Sequence, residues 1–333
     1  MPHHRITDLP AADAAVRFRD TAARFIVTVD TEEEFDWTRP LTRDRHGTAS
    51  VPRLARFQSF CESHGVVPIY LVDHPIATDP AAAEALGDAV KAGRAEIGVQ
   101  LHPWVNPPFD EEICERNSFA GNLPPALERA KFMNLRDAIE RAFGCAPLIY
   151  RAGRYGTGPN TAAILRDGGI RIDTSARARF DYSATGGPCY RDLPVTPWWV
   201  DAPGGLMELP LTTVYTGPLR RLGPALYPRL WRVPALRGAL ARARVLERIP
   251  LTPEGVSPAE AGRAIDAALA DKLPVLVFSF HSPSLAPGHT PYVRSEADVD
   301  ALYDWWRHAF ARLAQRGVRP SCVRDVLATA ELA

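Results

Sequence analysis

The chain has 333 residues, 46% of them hydrophobic, and its 39 Lys and Arg balance 39 Asp and Glu to a formal net charge of zero. A neutral chain lacks the basic surface with which nucleic-acid binders displace counterions, so we expect no nucleic-acid partner. No run approaches the roughly 18 apolar residues of a membrane span, and the polar, Ala-rich start shows no secretory signal. Single cysteines at 61, 114, 145, 189 and 322 make neither a disulfide framework nor a metal knuckle. We therefore expect a cytoplasmic protein without a transmembrane segment.

Strand patterns begin after the first 22 residues, and residues 1–22 are expected to form an N-terminal arm or a leading helix. Beyond them, short apolar runs bounded by turn residues recur, and several are apolar throughout, as in strands buried on both faces. The predicted strands are 25–29, 66–72, 96–101, 148–150, 170–172, 206–209, 275–280 and a short one within 318–323. Helical patterns lie between them, with recognisable ends such as the capping box at Ser257 to Glu260 and the stop at Gly144.

This alternation predicts an α/β fold in which about seven parallel strands form one barrel. An average of about 150 residues per domain would suggest two domains, but no low-complexity linker divides the chain. We therefore predict a single domain over residues 23–333.

Residues 215–255 depart from the pattern and are predicted to be a basic insertion. They carry eight arginines against two glutamates, with Leu, Trp and Pro interleaved. One interpretation is a solvated helical flap over the barrel, which the interruptions by Pro224, Pro228 and Pro234 favour. The other is peripheral contact, through 219–248, with an anionic partner such as a lipid phosphate or a membrane surface.

Polar residues follow four of the predicted strands, at the ends where a parallel barrel carries its active site. They are the acidic run 30–34 with Asp30, then His102, Arg151 and His281. Together such groups can hold a divalent metal, activate a water molecule and protonate a leaving group. Structural explanations remain open: Asp30 could cap a helix, His102 could bond a carbonyl in the core, and Arg151 could form an ion pair.

Four short motifs stand in a defined order along the chain: Thr28-Val29-Asp30-Thr31-Glu32, Glu96-Ile97-Gly98 followed by His102-Pro103, Arg151 with Tyr155-Gly156, and Phe278-Ser279-Phe280-His281. In this order and spacing the sequence resembles the NodB-homology polysaccharide deacetylases, carbohydrate esterase family 4, over about residues 24–325. It is similar in particular to the cytoplasmic branch of that family. The resemblance implies a distorted (β/α) barrel, a divalent metal that is commonly zinc, and hydrolysis of an N- or O-acetyl group from a sugar or polysaccharide precursor.

The resemblance also implies roles for single residues. Asp30 would take a proton from the attacking water, Arg151 would hold the Asp30 carboxylate, and His281 would protonate the departing amine. The residue next to Asp30 is not the second acid that the family usually has there. The metal ligands would therefore be Glu32, or alternatively Asp30, together with His102.

The metal motif departs from the family's pair of histidines. Gln100 stands where the first histidine is expected, and Asn106 stands where a second would fall if the motif had shifted to His102. Amide oxygens bind zinc more weakly than imidazole does. The third ligand therefore stays open, and so does the alternative of a homologue that binds a glycan or a lipid-linked sugar without cutting it.

Residues near the strand ends are predicted to contact the substrate: Gln100, Trp104, Asn106, Tyr155, Ser282 and His289. Trp104 could stack on a sugar ring or simply pack within its loop. Asp173, at another strand end, is predicted to orient His281 from behind. A glycoside hydrolase that pairs Asp30 with Asp73 or Asp173 is a further alternative, although it gives the two histidines no role.

Overall fold

The structure is a computed structural model that describes residues 5–331. Its strands, β1 to β11 in chain order, are Arg24–Thr31, Ile69–Val72, Glu96–Leu101, Ile149–Ala152, Ile172–Asp173, Trp198–Trp199, Met207–Glu208, Thr213–Thr216, Glu247–Pro250, Val275–His281 and Arg319–Pro320. Its helices, α1 to α10, are Leu54–Ser63, His74–Ala77, Pro80–Lys91, Pro125–Phe143, Thr161–Asp167, Gly223–Leu230, Pro234–Arg242, Pro258–Ala270, Glu296–Gln315 and Val323–Thr329. Among the described helices, none is both long and apolar enough to span a membrane.

Nine of the strands form one curled sheet, in the order β10-β1-β2-β3-β4-β5-β7-β6, with β11 beside β1. The seven strands from β10 to β7 in that order run parallel, and β6 pairs antiparallel at the edge. Thr212, just after β7, reaches the other end of the sheet. Its main-chain N–H donates to the Val277 carbonyl at 3.3 Å, and its hydroxyl accepts from the Val277 N–H at 2.9 Å. The predicted distorted barrel of about seven parallel strands is confirmed.

The two faces of the sheet pack against different apolar clusters. In β1, Phe25, Val27 and Val29 join the cluster that contains most of the helices, whereas Ile26 belongs to a second cluster of inner-face strand residues, which α10 and Val16 also join. Both faces are buried, which explains the continuous apolar runs in the sequence. On the inner face Ile26 is followed by Thr28 and then Asp30, so the lining of the barrel becomes polar toward the carboxyl ends of the strands.

The longer predicted strands occur with shifted ends, and β3 matches its predicted range. The predicted helix ends are also present, because Ser257 and Glu260 form the capping box of α8 and Gly144 ends α4 in the left-handed conformation. The sequence analysis missed β6, β8 and β9, which have only two to four residues each. Unlike the equally short β2, β4, β5 and β7, these three strands pair antiparallel, at the sheet edge or in the ribbon, outside the parallel alternation from which strands were predicted.

Residues 5–22, the described part of the predicted N-terminal arm, pack against the barrel without forming a helix. Ile6 and Val16 are buried, and isolated bridges join Ala15 to Trp198 and Phe18 to Ala330. Residues 1–4 of the predicted arm lie outside the described residues.

The basic insertion contains a small helical unit on a two-stranded ribbon. β8 and β9 pair antiparallel, and α6 and α7 lie between them in the chain. This unit has the helices expected of a flap, and the chain that leaves it after β9 returns to the mouth of the barrel.

Candidate active site

Two pairs of neighbouring strands bring four polar side chains to one place. The register of β1 and β10 pairs Asp30 with His281, and that of β3 and β4 pairs Gln100 with Arg151. All four residues lie at the carboxyl ends of their strands and line the same cavity, together with His102. The structure thus gathers residues from the beginning, middle and end of the chain around one cavity floor.

Arg151 holds the carboxylate of Asp30. Its Nη1 donates to Asp30 Oδ1, its Nη2 donates to Thr28 Oγ1 at 2.9 Å, and its Nε donates to the carbonyl of Thr174 at 3.1 Å. Both members of the ion pair are buried, with 2% of Asp30 and 1% of Arg151 exposed. Because three donors of the guanidinium are fixed, Arg151 balances the charge of Asp30 and also fixes the orientation of the Asp30 carboxylate.

Glu254, in the loop after β9, holds His281. Its Oε2 accepts from His281 Nδ1 at 2.7 Å, and its Oε1 accepts from the His281 main-chain N–H at 3.2 Å and from the Ser284 hydroxyl at 2.6 Å. Burial alone would lower the pKa of His281, but the charges of Glu254 and Glu32 outweigh it and raise this pKa to about 10. His281 is therefore a protonated imidazolium near neutral pH, with its Nε2–H on the side of Asp30.

The position of Glu254 corrects one expectation. Asp173 does not orient His281: its Oδ1 accepts from the Ser175 hydroxyl at 2.6 Å, and it lies beside Glu208 on the neighbouring strand. Burial raises the pKa of both these carboxyl groups. Sequence reasoning missed Glu254 because it stands in an irregular loop, where no strand end marks its position.

Asp30 and His281 face each other without a hydrogen bond. Asp30 Oδ2 and His281 Nε2 are 3.8 Å apart, and both residues line the cavity. Each has its own counter-charge on the far side, Arg151 for the carboxylate and Glu254 for the imidazolium. A base and an acid are thus held apart at the distance at which a small reacting group can contact both.

A second group of donor atoms lies next to this pair. Gln100 Nε2 donates to Glu32 Oε2 at 2.9 Å and lies 3.2 Å from His102 Nε2, which is 3.5 Å from the same Glu32 oxygen. Burial raises the pKa of Glu32 to about 8, although the charge of His281 opposes the shift. The three side chains form a small triangle at the cavity wall.

Glu33 and Asp73 support His102 from the side away from the cavity. Glu33 Oε2 accepts from His102 Nδ1 at 2.8 Å, Glu33 Oε1 accepts from Trp104 Nε1 at 2.8 Å, and Asp73 accepts from the Glu33 main-chain N–H at 2.7 Å. With the proton on Nδ1, the lone pair of His102 Nε2 faces the cavity. Gly153 lets the ring pack closely, because a Cβ there would lie 2.3 Å from His102 Cδ2.

Two sets of these residues have donor atoms spaced for a metal ion. Oxygens of Glu33 and Asp73 and a nitrogen of His102 lie within 4.8 Å of one another, but Glu33 and Asp73 already accept hydrogen bonds and do not line the cavity. Glu32, Gln100 and His102 do line it, and Gln100 Oε1 is buried with no hydrogen-bond partner in the described part of the chain. A half-turn of this amide would bring that oxygen to the carboxylate and the imidazole, so this second set fits a divalent cation better.

The cavity has a volume of about 660 Å³ and a mixed wall. Aromatic side chains make up much of it, and those of Trp37 and Tyr292 lie on the His281 side, with the Trp37 ring 5.0 Å from the imidazole. Trp104 stacks on His102 at 4.4 Å between ring centroids. Apolar rings beside fixed polar groups are typical of sites that bind sugar-sized ligands.

The other residues predicted from the sequence divide into two groups. Gln100, Trp104 and Tyr155 line the cavity, whereas Asn106, Ser282 and His289 are not among its lining residues. Asn106 is buried and donates to the carbonyl of Lys131, Ser282 accepts from the Glu32 main-chain N–H, and His289 lies 3.3 Å from Glu34. These three predictions of substrate contact are therefore not met in this structure. Asp73, which caps α2, and Asp173 also lie outside the lining, which removes the two carboxylate pairs expected of a glycoside hydrolase.

Comparisons with solved structures support the fold. A protein from Mycobacterium smegmatis that is assigned as a polysaccharide deacetylase is similar over 96% of this chain and 94% of its own, with 18% identity and a TM-score of 0.54. Puue allantoinase matches over 93% of this chain and 91% of its own, with 13% identity and a TM-score of 0.50. A 4-alpha-glucanotransferase from Thermococcus litoralis matches over 92% of this chain and 40% of its own, with 14% identity and a TM-score of 0.50.

By sequence alone, no family model and no curated protein matches this chain. The chain has the fold of polysaccharide deacetylases, as the motif resemblance implied. An allantoinase and a glucanotransferase are also similar to this chain in structure, so the fold alone does not identify the reaction.

Proposed function

We propose that this protein is a metal-dependent hydrolase that removes an acetyl group from an acetylated sugar or polysaccharide precursor. The observation that carries the proposal is the pair Asp30 and His281 on the cavity floor. One group is a carboxylate held by Arg151 and the other an imidazolium held by Glu254. Hydrolysis of an acyl group needs one residue that accepts a proton and another that donates one, and this pair supplies both.

In the proposed reaction Asp30 takes a proton from a water molecule as the water oxygen attacks the acetyl carbon. The bond from that carbon to the sugar nitrogen or oxygen then breaks, and His281 gives its Nε2 proton to the leaving atom. The products are acetate and the free amino or hydroxyl sugar. Arg151 keeps Asp30 directed at the water, and Glu254 stabilises the imidazolium before it donates.

Glu32, His102 and Gln100 would hold the divalent metal, for which zinc stays the prediction from the sequence. When bound, such an ion would polarise the acetyl carbonyl. Glu33 contributes by fixing the proton of His102 on Nδ1, which leaves Nε2 free to act as a ligand. Trp104 and Tyr155 would contact the sugar from the wall of the cavity.

Two substitutions test the proposal with the whole protein. Asp30→Asn and His281→Ala should each abolish the release of acetate from an acetylated sugar that the parent accepts, with unchanged circular dichroism. His308→Ala, which alters an exposed histidine on α9, serves as the control and should keep parental activity. Turnover at the parental rate in either test variant would contradict the assigned roles.

A second candidate function is binding of a glycan or lipid-linked sugar without cleavage. The residue that favours it is Gln100, because it replaces an expected histidine with a weak metal ligand. A metal-free protein that binds the sugar and releases no acetate would support this candidate over the hydrolase.

We also propose that the basic insertion contacts an anionic surface, and a cytoplasmic location stays a prediction from the sequence. Between residues 220 and 246 the segment has seven arginines and no acid. Leu222, Trp231, Val233 and Leu236 are each about half exposed there. Arginines beside exposed apolar side chains are typical of segments that rest on anionic lipid.

A further inference from the structure

Arg177 is a basic residue of the cavity wall that has no carboxylate partner among residues 5–331. Its one side-chain hydrogen bond in the described structure runs from Nη1 to the hydroxyl of Tyr182, at 3.2 Å. The other arginines of the wall each pair with an acid: Arg39 with Asp36, Arg151 with Asp30 and Arg154 with Glu115. Arg177 alone of these four brings an uncompensated positive charge to the cavity.

Two aromatic rings pack against this guanidinium. Its Cζ lies 4.1 Å from the centre of the Phe180 ring and 5.2 Å from that of Tyr155. A ring face attracts the charge of a guanidinium without accepting conventional hydrogen bonds from its N–H groups. A guanidinium has five such donors, and the Tyr182 hydroxyl accepts from one of them. Arg177 is thus held in place but is not saturated with hydrogen bonds.

The surroundings of Arg177 do not neutralise it. The side chains beside it are those of Tyr155, Tyr182 and Phe180, and the positive Arg248 packs on the same Phe180 ring at 3.6 Å. A charge that is partly removed from water without a counter-charge is unfavourable. Planar or tetrahedral anions would offset this desolvation, because carboxylate and phosphate groups match the geometry of the guanidinium N–H donors.

We infer that Arg177 binds an anionic substituent, a carboxylate or a phosphate, carried by the acetylated sugar. The inference rests on the proposed function and adds the substrate class. The acidic groups Asp30, Glu32 and Glu254 lie at the floor of the same cavity, so its charge is divided between a catalytic part and a cationic wall. A volume of about 660 Å³ has room for a sugar ring and its charged substituent together.

Binding measurements test this inference independently of catalysis. Calorimetric titrations would use three probes: N-acetylglucosamine, N-acetylglucosamine 1-phosphate and N-acetylglucosaminuronic acid. The parent should bind at least one of the two anionic probes about 10- to 100-fold more tightly than the neutral sugar, as expected for a hydrogen bond between charged groups. Preference for the phosphate identifies a sugar phosphate as the substrate class, and preference for the carboxylate identifies a uronic acid.

Arg177→Gln should remove the difference between the anionic and the neutral probes. Arg179→Gln is the matched control, because Arg179 is a partly buried arginine two residues away that stacks on Tyr215 and does not line the cavity. Equal affinity of the parent for charged and neutral probes, equal losses in the two variants, or no binding of either anionic probe at millimolar concentration would overturn the inference. Acetate release is measured separately. Arg177-dependent binding of an anionic probe without release of acetate would reject the proposed hydrolysis and keep the anion site. Release of acetate with no effect of Arg177→Gln on probe preference would reject the anion site and keep the proposed hydrolysis.

Discussion

Replacement of Glu254 by glutamine changes the residue that holds His281 and leaves His281, the proposed acid, in place. Glu254 accepts three hydrogen bonds, and a glutamine oxygen in place of Oε1 can still accept those from Ser284 and from the His281 main chain. The amide nitrogen that replaces Oε2 cannot accept from His281 Nδ1. The variant therefore loses one charge-assisted hydrogen bond of 2.7 Å, worth about 1.5–3 kcal/mol. Because this bond also fixes the direction of His281 Nε2, its loss should lower kcat by about 10- to 150-fold.

The pH profile separates this effect from a general loss of structure. His281 acts as an acid, so activity should fall as the pH rises through its pKa of about 10. Glu254 is the foremost of the groups that raise this pKa, so in Glu254→Gln the decline should begin at lower pH. Glu115→Gln is the control, because Glu115 is a cavity carboxylate that pairs with Arg154. A profile measured by acetate release in which the alkaline limb of Glu254→Gln stays where the parent has it, with kcat within twofold, would refute the reasoning.

Three further predictions concern the metal, stability and the basic insertion. Elemental analysis should find a stoichiometric divalent metal in the parent and in His308→Ala but not in His102→Ala; equal metal content in the two variants would contradict the ligand assignment. Burial raises the pKa of Glu128 to about 7, so ionisation favours the unfolded chain and should lower stability as the pH rises from about 4.5 to 7. In urea titrations Glu128→Gln should gain up to about 3 kcal/mol over the parent at pH 8 and little at pH 4, unlike the exposed control Glu84→Gln; a gain that is the same at both pH values would disprove this. Sedimentation with phosphatidylglycerol vesicles should capture the parent, and Trp231→Ser combined with Arg232→Glu should abolish capture; equal binding of both proteins, or binding to neutral vesicles, would rule out the proposed contact.

The sequence was informative where strands end. Asp30, Arg151 and His281 each follow an apolar run, and parallel pairing brings such ends together whatever their separation along the chain. A pattern of period two also separates Glu32, on the cavity side, from Glu33, which supports His102 from behind.

The parts of the site that lie in irregular segments could not be predicted in this way. Glu254 follows a four-residue strand of the basic insertion, and Arg177 lies in the long stretch between β5 and β6. Neither position has a periodic pattern that would tell which way its side chain points. Asp173 stands at a strand end, yet the prediction that it orients His281 was wrong. Its neighbour is another buried acid, Glu208, because the strand that pairs with β5 is decided by the tertiary structure.

The contact of β1 with β10 has a consequence for biosynthesis. Translation delivers the first of these strands early and the second only after most of the barrel has been made. Until Val275–His281 emerges from the ribosome, the carboxylate of Asp30 has no imidazolium opposite it, and one edge of β1 offers unpaired peptide groups to other chains. An unfinished polypeptide thus lacks the acid that the proposed hydrolysis needs, and that reaction can begin only after β10 has joined the sheet.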